Sequence, residues 1–455
     1  MAGIGFELRR VVARSDLASS LQAVFSGALL VAGPWLITVL TIFAIHSGFG
    51  VLRVPQAPLF QAVVTYSYAL SLALGSPVQY LFTRLVSDLI WEKREKEASV
   101  WLVAVSLSVF LLFGLMAFAV TTLVPIWGTP NWPLSVSTSL LFAAVNALWV
   151  MMLFISLLKR FLAILLVYLG GMAVAIGLTL FGAHHAGPAG AVYGFAVGHL
   201  VILLGLGALV LKDFPPRGQT GMFRPLGRLV REYGFLALSG FFFYAGQWVD
   251  KFVFWFSRGR PVDGTLLRIW GFWDFPVYLA GLSLIPGLIY FLIFSETTYY
   301  TALRKFLHSV STKPYVHIRQ ERFHLIRVMN RELLNQMLVQ VLAALAFLAL
   351  FWAIPGLNFW AVTSAVAGGW FLLLLMTLLN YQYYLEFYRQ AAWSAGVFFV
   401  FQGVGAAMGL AFPGLFPGLG FLMAIALACL VAFMSLERGV RSMERNIFLK
   451  AVGRR

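Results

Sequence analysis

Charged and polar residues inside long apolar runs are the few positions of this chain with chemistry to offer. The densest group lies near residue 250: Gln247, Asp250 and Lys251 share one apolar run, and Asp274 lies in the next. A charge at mid-helix in a bilayer costs about 2.5–3.5 kcal/mol, so each needs a partner or a purpose. At 1.5 Å of rise per residue from the intervening loop, Lys251 and Asp274 reach similar depth on antiparallel neighbours. They are expected to pair, or to cluster with Asp250, and to line a pathway. An ion pair that only pins the two helices is the competing reading. Phe241, Tyr244, Trp248 and Trp255 fall on one side of the same run, beside Gln247. Rings with polar groups between them suit the C–H faces of sugars, although most rings in membrane helices simply face lipid.

None of this is the apparatus of an enzyme. The sequence has no Walker A loop, no H-E-x-x-H and no G-x-S-x-G. The lone Cys429 sits in an apolar run, which excludes a disulfide framework and a thiolate metal site. His184 and His185 have no acidic or cysteine companions, and His199 reads as a helix-packing histidine. No catalytic residue, cofactor or metal is expected.

The elements that must position these residues follow from composition. Of the 455 residues, 61% are apolar and only 11% charged, against about 45–50% and 25% in soluble domains. The mean hydropathy is +0.87. So little charge cannot clothe a soluble surface, and the excess must face lipid. The expected fold is an all-α polytopic membrane protein. Runs of about 20 apolar residues predict twelve spans, near 20–45, 58–84, 99–124, 135–158, 161–183, 188–211, 233–257, 272–295, 333–354, 359–379, 391–412 and 416–436.

The formal charge of +16 arises from 33 Lys/Arg against 17 Asp/Glu. With both termini on one side, 28 of the basic residues fall in loops of that side, and only Arg53, Arg258, Arg260 and Arg268 fall opposite. That split is a positive-inside signal, so both termini are expected in the cytoplasm of a multi-pass inner-membrane protein. It also removes nucleic acid as a partner, since the charge belongs to loops beside an anionic bilayer. The order is then an amphipathic cytoplasmic helix (1–18), six spans (19–212), a cytoplasmic linker (213–232), six more spans (233–436) and a basic tail (437–455). The segment 296–332, with Leu303, Phe306, Leu307 and Val310 at helical spacing among basic residues, reads as an interfacial helix or a solvated basic connection.

Residues 26–35 (SGALLVAGPW) and 239–248 (SGFFFYAGQW) agree at five of ten positions, in spans one and seven. Such agreement suggests two parallel six-helix repeats, a known transporter plan. Proline falls inside spans at Gly33-Pro34, at Pro77 and at Pro286, that is, in spans one, two and eight. Helix breaks survive in lipid only where neighbours or a cavity satisfy the freed backbone. Interruptions at the start of each half therefore point to a pathway between lobes, lined at Gly33, Pro34, Trp35, Pro77 and Pro286. Arg84 and Glu296, at the cytoplasmic ends of spans two and eight, are candidates for a gate.

Five blocks carry a resemblance: MAGIGFELRR at the start, GPW at 33–35, FTRLVSDLIWEK at 82–93, WVDKFVFWFS at 248–257 and DFPVYLAGLSLIPG at 274–287. Together they resemble the PelG family, the polytopic component of the bacterial Pel exopolysaccharide system, grouped with the MOP flippase superfamily. The resemblance implies two six-helix MOP/MATE-like lobes around a central cavity lined by spans one, two, seven and eight. It implies transport of nascent Pel, an N-acetylhexosamine-rich polymer, with PelD, PelE and the cytosolic glycosyltransferase PelF as partners on the basic face. It makes Asp250, Lys251 and Asp274 pathway candidates. Two other classes compete: a scaffold that assembles and activates the synthase, and a MOP-type exporter of lipid-linked sugars or small cations. A cation exporter would want an acidic group in spans one and two, and they have none.

Overall fold

A backbone in hydrocarbon has no water to bond, so long apolar runs satisfy themselves as helices. The computed structural model describes residues 33–52, 54, 57–155, 161–216, 224–354, 356–412 and 417–444. The expected 1–18 helix, the first repeat copy at Ser26, Gly27 and Ala32, the Lys159-Arg160 joint, part of the linker and most of the basic tail lie outside these residues. The helices are α1 (Gly33–Leu52), α2 (Ala57–Trp91), α3 (Glu95–Leu123), α4 (Trp132–Ile155), α5 (Phe161–Asp213) and α6 (Arg224–Arg258). A two-residue ribbon follows, β1 (Arg260–Pro261) antiparallel to β2 (Arg268–Ile269). Then come α7 (Gly271–Ser283), α8 (Ile285–Tyr290), a π-helical turn (Phe291–Ser295), α9 (Glu296–Thr312), α10 (Tyr315–Trp352), α11 (Phe359–Tyr384), α12 (Tyr388–Ala411) and α13 (Pro417–Arg441).

Among the described residues, nine helical runs are long and apolar enough to cross a membrane, with Gly271–Thr312 counted as one. The 53-residue α5 is in fact two arms folded back at Ala186 and Gly187, where the backbone leaves helical geometry. Counting the arms separately, and adding the short apolar α1 and the more polar α6, gives twelve passes among the described residues. The protein is a multi-pass, all-helical membrane protein, as its composition requires.

The α5 fold-back depends on glycine twice. Gly187 adopts φ +60°, which glycine reaches without strain. Gly182 and Gly190 then face each other so closely that a Cβ on Gly182 would lie 2.2 Å from the Gly190 carbonyl oxygen. No rotamer relieves a clash with backbone.

The described chain divides into two compact units. One holds Ala32–Trp248 and Phe254–Trp270; the other holds Val249–Val253 and the chain from Gly271 onward. Most of α6 therefore packs with the first half of the chain, although it begins the second set of six spans in the sequence reading. The ribbon explains this. The Tyr66 hydroxyl donates to the Arg268 carbonyl at 2.9 Å and accepts from the Arg268 N–H at 3.2 Å, while the Leu266 N–H reaches the Ile126 carbonyl at 2.8 Å. The Tyr66 ring also lies 4.7 Å from Trp255. The end of α6 is thereby tied to α2 and to the α3–α4 loop.

In the second unit, the amphipathic segment 296–332 forms a helical hairpin. Its apolar residues Ala302, Leu303 and Phe306 are buried, as are Ile318, Leu325 and Val328 of α10. Of the apolar stripe that suggested an interfacial helix, Leu303 and Phe306 are covered by protein, while Leu307 stays exposed. At 38 residues α10 extends roughly 57 Å, about twice the hydrocarbon thickness, so its first half lies outside the bilayer. The end of α13 fastens there: Arg322 pairs with Glu444 at 3.2 Å, and the Tyr315 hydroxyl donates to Glu444 at 3.2 Å.

Replacing Gly182 by Leu should separate the α5 arms and destabilise the protein by about 1–3 kcal/mol, as overpacked cores do. Thermal unfolding in detergent checks it; an unchanged midpoint would mean that the arms do not meet at Gly190.

Candidate functional site

Asp250 and Lys251 lie in α6 about two turns before its end, and both are buried, with 2% and 7% of their surface exposed. Neighbouring residues on a helix point apart, yet the flexible Lys251 stem curls back to place Nζ 3.3 Å from Asp250 Oδ1. The second oxygen, Oδ2, accepts the indole N–H of Trp273 at 2.8 Å. Trp273 is fully buried in the first turn of α7, and its ring meets Phe421 of α13 edge-on. Asp274 is the next residue, half-buried. Asp250 and Lys251 are thus joined to the first turn of α7 through Trp273, the residue before Asp274. Sequence reading passed over Trp273, since a tryptophan in an apolar run resembles any lipid-facing ring. Its position one residue before Asp274, at the depth of Asp250, was the available signal.

The charge in this cluster is balanced at its centre. The carboxylate of Asp250 has an ammonium on one oxygen and an indole on the other, so its burial is compensated. Truncating either partner leaves the remaining group in a medium that cannot solvate it.

The aromatic candidates fall on the other side of the unit boundary. Tyr244 and Trp248 are half-buried, and Tyr244 packs edge-on to Phe243. Trp248 lies 6.2 Å from Trp255, which is buried at 1% exposure beneath Tyr66. Trp255 is thus a core ring. Gln247 is half-buried, with its amide donating at 3.4 Å to the Phe243 carbonyl one turn back.

The proline positions differ among themselves. α1 is described only from Gly33, so Pro34 stands at the first turn of the described helix, where Thr38 donates to its carbonyl at 2.8 Å. Trp35 lies in α1, and its side chain is outside the described set. α2 runs through Pro77 without interruption. Proline removes the N–H that would bond the Ala73 carbonyl, and the Ser76 hydroxyl supplies the replacement at 2.9 Å. At Pro286 the helix does break: α7 ends at Ser283 and α8 begins at Ile285. Gln340 of α10, fully buried, donates its amide to the freed Ser283 carbonyl at 2.9 Å.

Of the gate candidates, Arg84 pairs with Asp88 at 3.2 Å and lies over the Tyr233 ring. Glu296 is buried and accepts the Tyr384 hydroxyl at 2.5 Å. Both recorded partners belong to the residue's own unit. His199 is held at both nitrogens, by the Phe195 carbonyl at 2.8 Å and the Tyr68 hydroxyl at 2.6 Å. Among the described residues no three His, Cys, Asp or Glu gather as metal ligands.

Breaking the central pair has a defined expectation. Asp250→Ala should destabilise the protein by about 3–5 kcal/mol, because it removes the carboxylate held against the buried Lys251 ammonium. Trp273→Phe should cost about 1.5–3 kcal/mol, the worth of a hydrogen bond to a charged group. Thermal unfolding of each variant in one detergent checks both, and equal midpoints for wild type and Asp250→Ala would refute the pairing.

Comparison with known proteins fits this architecture. The family model described as "PelG: Putative exopolysaccharide Exporter (EPS-E)" matches residues 1–448. No curated protein matches the chain. Among solved structures, the Vibrio cholerae MATE transporter VcmN in its bent form is similar at a TM-score of 0.61 and 14% identity, over 97% of this chain and 99% of that one. A MATE protein in complex with MaD5 gives 0.58 and 13%, over 92% and 96%. A MOP superfamily transporter from Pyrococcus furiosus gives 0.51 and 13%, over the same shares. At such identities the likeness establishes the fold, which is that of the MOP/MATE transporters. Family and fold alike are those of transporters rather than enzymes.

Proposed function

The chain belongs to the PelG family of exopolysaccharide exporters, and on that premise we propose that it moves nascent Pel-type polymer, rich in N-acetylhexosamine, across the bacterial inner membrane. The observation that carries this reading is the family match over residues 1–448. The chemistry of the α6–α7 cluster supports it. A nearly neutral group of Asp250, Lys251 and Asp274, with Gln247, Tyr244 and Trp248 on the same helix, suits an uncharged sugar chain better than a polyanion. The polymer would pass through a central cavity between two lobes, bordered by the helices that carry Gly33, Pro34, Trp35, Pro77 and Pro286, with Arg84 and Glu296 near its cytoplasmic mouth.

In this reading both termini are cytoplasmic, and so is the α9–α10 hairpin. Its Arg304, Lys305, Lys313, Arg319 and Arg327 are all exposed, beside exposed Leu307, Tyr315, Val316 and Phe323. Such a surface suits docking of PelF, PelD and PelE. The hairpin also favours a second reading, a membrane scaffold that assembles and activates the synthase while polymer crosses elsewhere. A flippase of lipid-linked sugars is the third, supported only by the shared MOP fold.

Purified protein reconstituted with and without its glycosyltransferase separates these. The transporter reading predicts polymer inside vesicles only when both are present, and its loss when Lys251 and Asp274 are both replaced by Ala. Synthesis stimulated with no lumenal polymer would establish the scaffold. Translocation by the double variant would remove the pathway assignment.

A further inference from the structure

Two more carboxylates are buried in the second unit, away from the Asp250 cluster: Glu296 at 4% exposure and Glu332 at 5%. Glu296 opens α9 directly after the π-helical turn Phe291–Ser295. A π turn adds a residue to one coil and re-aims the helix face that follows, which is why such turns gather at functional sites. Oε1 of Glu296 accepts the Tyr384 hydroxyl at 2.5 Å, the separation of a hydroxyl on a charged carboxylate. Oε2 is buried with no hydrogen-bond partner among the described residues. No cationic side chain pairs with Glu296 in the recorded contacts, in contrast to Asp250 with Lys251.

Around this carboxylate the structure assembles phenols. The Tyr299 and Tyr381 hydroxyls are buried and likewise without hydrogen-bond partners. Their rings lie 4.5 Å apart, and Tyr299 lies 5.7 Å from Tyr384, with Tyr300 beside the same Tyr384 ring at 6.3 Å. The Tyr290 hydroxyl reaches Glu332 Oε2 at 3.3 Å, and Glu332 Oε1 is held at 2.9 Å by Arg331, whose side chain is 62% exposed. Glu296 is therefore a deeply buried carboxylate without a compensating cation, while Glu332 has a partner in solvent.

We propose that Glu296 is a proton-binding site of this exporter. A lone ionised carboxylate in this setting is costly, and one proton on Oε2 removes the charge. In the step, a proton from solvent binds Oε2 and the Glu296 carboxylate becomes a carboxylic acid. Tyr384 keeps both its proton and its bond to Oε1. No other bond is made or broken.

Infrared difference spectra of the full-length protein in lipid nanodiscs, taken between acidic and neutral buffer, test this without any polymer. A failure here therefore leaves the export reading untouched. Wild type should show a protonated-carboxyl C=O band that appears on acidification. The band should vanish in Glu296→Gln, persist in Glu332→Gln, and move in frequency in Tyr384→Phe, which keeps the carboxyl but loses its donor. Three results would overturn the proposal: a band that survives in Glu296→Gln, a band in Tyr384→Phe at the wild-type frequency, or a wild-type band abolished at constant pH when sodium replaces choline. The last would assign the site to an alkali cation.

Discussion

Hydrocarbon offers no hydrogen bonds, and the architecture of this protein follows from that deficit. At three places where the sequence departs from a plain apolar helix, a specific donor or acceptor matches the departure. Ser76 reclaims the carbonyl that Pro77 frees. Gln340 reaches across from α10 to the carbonyl exposed by the break before Pro286. Lys251 and Trp273 divide the two oxygens of Asp250 between them. An unmatched polar group in this setting costs several kcal/mol, so such pairings are what permit interrupted helices at all. The same accounting makes Glu296 conspicuous, because its second oxygen is left over.

Close packing is the second support. With no hydrophobic force to drive one lipid-bathed helix onto another, small residues let backbones approach and gain dispersion contact. Gly182 and Gly190 do this in the α5 hairpin. Gly405 and Gly420 do it between α12 and α13, where an added Cβ on Gly405 would stand 2.8 Å from the Gly420 carbonyl oxygen. These contacts leave the outward faces of the helices free to carry Leu, Val and Phe into lipid, and many such side chains are exposed on α3, α5 and α10.

The large positive charge has a separate role from the fold. It is concentrated in loops, and in the second unit it decorates a hairpin whose Leu303 and Phe306 are already used internally. What that hairpin presents outward is basic side chains with a few exposed rings and aliphatic groups. Under the proposed function, a cytosolic synthase would dock on such a surface.

Composition and span length alone determined the class of this protein: 61% apolar residues in runs long enough to cross a bilayer admit a helical membrane protein and little else. The charged positions worth attention were also legible, since a charge is conspicuous among Leu and Phe whatever the fold. Partnership was not. The sequence offered Lys251 to Asp274 or to a cluster with Asp250, and the contact with the adjacent Asp250 forms because a four-carbon stem can fold back where a helical wheel says it should point away. Pro77 and Pro286 look alike as letters, but only the second ends a helix, since Ser76 repairs the first within a turn of the same chain. Tyr381 and Tyr384, near the end of α11, gather with Tyr299 beside a carboxylate more than 80 positions before them. Hydrophobicity is a property of each residue and survives in the sequence. Hydrogen-bond partnership is a property of pairs, and only the packed helices decided it.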